Sequence, residues 1–555
     1  MVAPLRRAMK TAPLGVLLLA GVLPVMAGLV VTLAGGISLP AWRELLAEPG
    51  LVQALLVSAS SGVVSTLIAL AVAHLAVATA FVRHRQATLR LAALPTLATP
   101  HVAVAIGLVL LLAPSGLVMR ALSPWATGFE QPPDWATVQD PFGLALIVGL
   151  VVKEVPFLIL VLLGALAQVP AERLMTQGRV LGYGDGKAWF VAVAPLLQRQ
   201  ARLATVTVLV FGITNVEMAL ALGPTRPPTF SLLVWSWFTD ADLATRSKAY
   251  AGALLLLFVT AGVVAAIAAA SRYLLAPGWH AWATSGDRAP SLRLNGRAMQ
   301  LWGRAVLGLG AVALLALLVR SVGGTWRFPA VWPTQLSLSA WMQSVEDMQP
   351  AVTASVTLGL AATVIALALV LAVAEVLHDK PVARRRVAAL LFVPLVLPQM
   401  AFLFGLQTVL LRLELDGSWS GVLWSHLLFV LPYAWVVLAE ARAQLPPGYR
   451  IVARTLGAGP FTTWSRILLP QLLRSILVAA GLCFAVSMAL YLPTQFAGGG
   501  RIVTVTTEAA VAMSSGDLRS AASYGVMQAL LPLALFVVTA WVSRSVFAQR
   551  RGMSA

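Results

Sequence analysis

LPPGYRIVARTLGAGPFTTWSRILLP, residues 445–470, is amphipathic and lies between two apolar runs long enough to cross a membrane. It is too polar to span and too apolar to hang free. Pro446 and Pro447 end the incoming helix. Gly457, Gly459 and Pro460 supply a bend. Ile451, Val452, Leu456 and Phe461 supply apolar contacts, while Arg450, Arg454 and Arg466 point outward or pair with acids. The economical reading is a helix–turn–helix lying at the cytosolic surface, its tip free to fill a cleft on another protein. A weaker copy lies at 171–195: Gly182 follows Leu181, and Pro195 stands thirteen residues later, as Pro470 does after Gly457.

The rest of the chain must carry these two elbows. It has 555 residues, 59% hydrophobic and 11% charged, with mean hydropathy +0.86. Soluble domains run at about 45–50% apolar and about 25% charged. Many apolar runs reach the ~20 residues that cross ~30 Å of hydrocarbon as a helix. They are continuous rather than alternating, which selects helices over a barrel. Twelve spans are expected, near 13–34, 52–82, 91–114, 142–167, 203–223, 249–271, 304–322, 352–376, 387–411, 418–440, 475–493 and 520–543. The first is too long for a cleaved signal segment, whose apolar region is about 7–15 residues.

With the N-terminus placed in the cytosol, the cytosolic segments hold 28 of the 39 basic residues and 6 acidic ones. The opposite face holds 10 basic and 13 acidic residues. The net charge of +18 therefore records topology and a match to anionic lipid. It is poor evidence for nucleic acid, because no basic segment carries interleaved aromatics or a binding motif. Cys483, the only cysteine, excludes a disulfide within the chain.

The spans repeat in order. Ser58-Ala59-Ser60-Ser61-Gly62 with Ser65-Thr66 matches Ser355-Val356-Thr357-Leu358-Gly359 with Ala362-Thr363. Pro100-His101-Val102-Ala103 matches Pro398-Gln399-Met400-Ala401, and Ala167-Gln168-Val169-Pro170 matches Ala443-Gln444-Leu445-Pro446. Glu217-Met218-Ala219-Leu220 is set against Ser487-Met488-Ala489-Leu490. Six spans per half make the repeats parallel, related by a pseudo-twofold axis along the membrane normal. The division is 1–275 for the first half, 276–303 for a cytosolic linker and 304–555 for the second half. The expected fold is all-α and integral to the membrane. The Gly and Ser positions of spans 2 and 8 read as close packing.

Ala453-Arg454-Thr455-Leu456-Gly457-Ala458, with Ile467-Leu468-Leu469-Pro470 downstream, resembles the EAA loop of binding-protein-dependent ABC importer permeases. Ala453, Gly457, Ile467 and Pro470 match that pattern, and Ile451 and Val452 replace its Glu and first Ala. In the first loop Gly182 and Pro195 match, while Thr176, Gln177 and Gly178 take the Glu-Ala-Ala places. The resemblance implies ATPase-coupling roles for Gly178, Arg179, Gly182, Asp185, Pro195, Ala453, Arg454, Gly457, Ala458, Ile467 and Pro470. It covers essentially the whole chain and is nearest to fused double permeases of the thiamine and iron(III) type. Tyr491-Leu-Pro-Thr-Gln-Phe-Ala-Gly-Gly-Gly-Arg501 and Thr506-Thr507-Glu508 resemble a thiamine-permease-like subgroup.

The implied function is to pass a small solute, a thiamine-like cation or iron(III), from a periplasmic binding protein to the cytoplasm by alternating access. The implied partners are an ABC ATPase, as two copies, that periplasmic binding protein and the bilayer of the bacterial inner membrane, with both termini cytoplasmic. No GxxxxGK[ST] run exists, so ATP falls to the partner and no cofactor or metal is expected here. Ions inside spans are expensive and mark pathways or polar clamps. Lys153, Glu154, Asn215 and Glu217, with Ser487 in the other half, are the candidates. Neighbours in a helix point about 100° apart, so one of Lys153 and Glu154 is expected on the path and the other against a neighbouring span. A second reading is a secondary transporter with parallel repeats, using Glu154 or Glu217 as an ion carrier and needing no socket.

Overall fold

In the computed structural model, which describes residues 2–288 and 297–547, the regular elements are helices. Residues 289–296 of the linker lie outside that description. Ten helices are long and apolar enough to cross a membrane among the described residues. The fifth and ninth expected spans are instead interrupted. The fifth is Ala194–Thr214 followed, after a break at Asn215–Val216, by Glu217–Leu222. The ninth is Pro381–Leu391, Val393–Val396 and Met400–Arg412. The third also breaks, into Gln86–Ala98 and His101–Leu112. The causes are local. Pro100 and Pro398 lack an amide proton and push the residue before them to extended backbone. Thr99 and Leu397 are both extended.

The two halves share these irregularities in the same order. Span 4, Leu144–Leu166, carries Pro156, and span 10, Trp419–Gln444, carries Pro432. Span 5 enters through a turn of π-helix at Trp189–Val193, and span 11 at Trp464–Leu468. The break at Asn215–Val216 recurs at Leu490–Tyr491. These last two pairs are 275 residues apart, as Gly182 is from Gly457 and Pro195 from Pro470. In that register Glu217 corresponds to Leu492 and Ser487 to Gly212. The sequence match of Glu217 with Ser487 is therefore five residues out of register, because Met-Ala-Leu recurs by chance in an apolar alphabet.

Ser58 and Ser355 do more than pack. The Ser58 hydroxyl accepts from the Phe230 amide at 2.8 Å, and the Ser355 hydroxyl accepts from the Val505 amide at 2.9 Å. Each opens a short helix, Phe230–Thr239 or Val505–Ser514, whose first amides have no partner within the helix. Gly62 and Gly359 fit the close-packing expectation. A Cβ on Gly62 would lie 2.6 Å from the Ile213 amide nitrogen, and one on Gly359 would lie 2.8 Å from the Phe484 ring.

The halves exchange their first spans. Leu23–Gly36 packs on Met400–Arg412 of the second half, and Arg297–Val322 packs on His101–Leu112 of the first. Backbones touch at both crossings. A Cβ on Gly405 would lie 1.9 Å from the Gly28 carbonyl oxygen, and one on Gly107 would lie 2.5 Å from that of Ala313. Thr32 adds a hydroxyl that accepts from the Gly405 amide at 3.1 Å. The repeats are thus sequential in the chain but interlocked in space.

Segments assigned to one face do meet. At one face the 323–338 segment binds both halves. Arg120 donates to the Arg327 and Ala330 carbonyls, each at 2.9 Å, and Arg519 to the Ser337 carbonyl at 3.3 Å. Helices leaving that face end at the two elbows, which therefore share the other face.

Candidate functional site

Both elbows are built the same way. In the first, helix Ala171–Val180 ends at Leu181 and Asp185–Ala188 returns. The Tyr183 amide reaches back to the Gly178 carbonyl at 3.0 Å, and the Gly182 amide to that of Arg179 at 2.9 Å. In the second, Gly448–Thr455 ends at Leu456 and Pro460–Thr463 returns. The Ala458 amide reaches the Ala453 carbonyl at 2.9 Å, and the Gly457 amide that of Arg454 at 3.0 Å. This is a Schellman ending, which places the next residue in the left-handed region. Gly182 has φ +81° and Gly457 φ +79°, so both glycines follow from backbone geometry.

The small residue three places before the helix end has its own reason. A Cβ on Gly178 would lie 2.6 Å from that of Ala188 on the returning helix. Its counterpart Ala453 is buried. Tips remain bare: Val180 and Leu181 are exposed, as are Ile451, Val452, Leu456 and Phe461. Arg179 and Asp185 pair across the first turn at 2.7 Å. Arg454, Ala458 and Ile467 lie along the second elbow, and Pro195 and Pro470 start the spans that follow.

The second elbow is braced by charge. Arg450 pairs with Glu375 at the end of span 8, and Arg442 donates to the same carboxylate at 2.8 Å. His378 Nε2 lies 2.9 Å from Arg450 and 2.5 Å from the Asp379 carboxylate, with the other ring nitrogen 2.8 Å from the Glu375 carbonyl. Burial, with the Arg442 charge, holds the His378 pKa below its usual value against the opposing pull of Asp379. The first elbow is seated instead by apolar contact, with Met175 and Trp189 buried and Trp189 5.3 Å from the Phe81 ring.

Within the membrane the intramembrane ions separate by role. Lys153 turns to the broken third span. Its ammonium donates to the carbonyls of Thr96 at 3.1 Å and Leu97 at 3.0 Å, and also to that of Thr99. The Thr96 carbonyl would meet the amide of residue 100 in an unbroken helix, and Pro100 has none. Glu154 meets the same span beyond its break, its carboxylate 3.7 Å from His101 Nε2. The His101 ring lies tilted against Phe211, centroids 4.6 Å apart. Glu217 lies beside the Tyr491 backbone of the second half and within the field of Lys153. Tyr433 lies near Glu154. Glu154 and Glu217 are both buried.

Asn215 sits at the break itself. Its Oδ1 accepts from the Met218 amide at 2.7 Å, and its buried Nδ2 has no partner. Ser487 lies elsewhere: His426 bridges it at 2.7 Å to Thr494 at 2.9 Å, a closed uncharged network. In the second half Phe429 and Val430 stand where Lys153 and Glu154 do. His101, Tyr433 and Tyr491 carry no signal in the sequence that would mark them as neighbours of these carboxylates. Pro100-His101 was visible as a repeat, but its nearness to Glu154 depends on packing between spans.

Residues 364–550 match the model of the family described as binding-protein-dependent transport system inner membrane component. The chain is 30% identical over 541 residues to the inner membrane ABC transporter permease protein YnjC of Escherichia coli (strain K12), covering 96% of each. It is 31% identical over 216 residues to the molybdenum transport system permease protein ModB of Mycobacterium tuberculosis, covering 36% of this chain and 78% of that protein.

Proposed function

The chain belongs to the inner-membrane permeases of binding-protein-dependent ABC transport systems, and from that premise we propose that it imports a small cationic solute. As a fused double permease it presents two coupling loops, 171–195 and 446–470, to two copies of an ABC ATPase. Both termini are cytoplasmic, and a periplasmic binding protein delivers the solute. The carrying observation is the pair of Schellman-capped elbows with bare apolar tips on one face. ATP binding draws the two ATPases together, and with them the elbows and the broken spans 5 and 11. The ATPase acts by binding the two states of the permease with different affinity.

The solute class follows from charge. Two buried carboxylates, Glu154 and Glu217, face the single ammonium of Lys153 in this region, and that acidic excess supports the reading. An anion is a poor fit there. A thiamine-like organic cation or iron(III) is favoured, with Glu154, Glu217 and Asn215 on the path. Lys153 and Ser487 serve as structural clamps.

Two experiments test this. Gly457→Val puts a β-branched residue at φ +79°, a conformation that is a genuine outlier for such residues. It is expected to cut transport and ATPase co-purification at least tenfold while the protein stays inserted. Normal coupling in this variant would remove the second loop from the docking site. Glu217→Gln is expected to cut thiamine or iron(III) uptake into proteoliposomes at least tenfold with ATPase binding unchanged. Unchanged uptake would take Glu217 off the path, and uptake that persists without any ATPase would return the chain to an ion-driven carrier.

A further inference from the structure

The two elbows are held differently, and the first is held by the linker. From Thr245 the sixth span continues as helix to Thr284, 40 residues, through a turn of π-helix at Ser271–Leu275 and past Pro277. At 1.5 Å per residue that is roughly 60 Å, about twice the hydrocarbon thickness. Its far end lies beside the first elbow. Lys187, on the returning helix of that elbow, is only 4% exposed. Its ammonium donates to the Ser285 hydroxyl at 3.2 Å and the Asp287 carbonyl at 2.6 Å. It also lies over the Trp282 ring at 5.4 Å and its own elbow's Tyr183 at 5.2 Å. Arg288 closes over Gly182, its Cδ 3.1 Å from where a Cβ would be.

Burying an ammonium is costly unless its donors are met, and here the linker meets them. Nothing comparable covers the second elbow among the described residues. The residue there corresponding to Lys187 is Thr462, which is exposed, and its neighbour Phe461 is 79% exposed. The second elbow is instead tied to Glu375 through Arg450. The first has greater need of a brace, because Gly178, Gly182, Gly184 and Gly186 fall within nine residues. Each glycine adds backbone freedom. The linker leaves the apolar side chains of the tip bare, with Val180 82% and Leu181 59% exposed.

We propose that the linker between the halves is a working part of the first coupling loop. It braces that loop through Lys187, so that the ATPase beneath the first half pushes on a rigid element made of loop and linker together. Lys187 is a positioning residue. The inference rests on the reading that these loops dock an ATPase.

The test uses the full transporter with its ATPase and binding protein in nanodiscs. Lys187→Met and, separately, Trp282→Ala are expected to lower binding-protein-stimulated ATP hydrolysis at least fivefold, with the ATPase still co-purifying. Stimulation at the wild-type level in both variants overturns the proposal. A second arm places Lys187→Cys and Ser285→Cys in a Cys483→Ala background and bridges them with a short bis-methanethiosulfonate reagent. Bridging is expected to restore stimulation. A bridged protein that stays inert while Lys187→Met is active would make the linker a lid that must leave, and would overturn the brace. Wild-type protein that never captures an ATPase would sink the coupling reading itself, a separate outcome.

Discussion

Lys153→Met is expected to cost the protein its fold and not merely its transport. The ammonium satisfies three carbonyls at the end of Gln86–Ala98, where Pro100 has removed the amide that would have continued the ladder. Methionine fills similar space and donates nothing. An unsatisfied backbone group in hydrocarbon costs on the order of several kcal/mol, against a total of about 5–15 kcal/mol for a typical folded protein. The substitution also strips Glu154 and Glu217 of the cation nearest them. A thermal melt followed by size-exclusion in detergent should show a large fall in midpoint or loss of the monodisperse peak. If Lys153→Met melts normally and only uptake is lost, the residue belongs to the solute path and the clamp assignment fails.

Gly405→Leu is expected to have an effect as large by a different mechanism. The exchanged first span crosses the ninth with backbone against backbone, and any Cβ at 405 would lie 1.9 Å from the Gly28 carbonyl oxygen. Neither atom is the free end of a flexible side chain, so the helices must separate. Separation would also break the bond from the Gly405 amide to Thr32 and the packing that small residues permit in membranes, where van der Waals contact is a main source of helix association. The expected result is at least a tenfold loss of monodisperse protein. Gly308→Leu is the control, since a Cβ there meets nothing within 4 Å. Equal yields from the two variants would show that the crossing tolerates separation and that the exchange does not hold the halves together.

Much of this architecture was legible in the residues. Continuous apolar runs announce membrane helices because an unsatisfied backbone in lipid leaves few alternatives. The elbows were legible because a helix that must end and turn back demands a residue at positive φ, and glycine meets that demand at Gly182 and Gly457. The repeat was visible in serines and prolines, whose chemistry is rare enough in an apolar alphabet to carry register. Where only Met-Ala-Leu was available, at Glu217 and Ser487, the register slipped.

Tertiary structure alone decided the rest. No local pattern says which span Lys153 will serve, because its partners are carbonyls more than fifty residues away. The exchange of first spans is invisible in a linear string, since Gly28 and Gly405 are ordinary glycines until two helices cross there. The bracing of Lys187 by the linker depends on a helix long enough to end beside it. Periodicity and turn chemistry act through neighbours in the chain and can be read from it. Close approach and the satisfaction of buried polar groups act between distant segments, and they take definite partners only once the helices have packed.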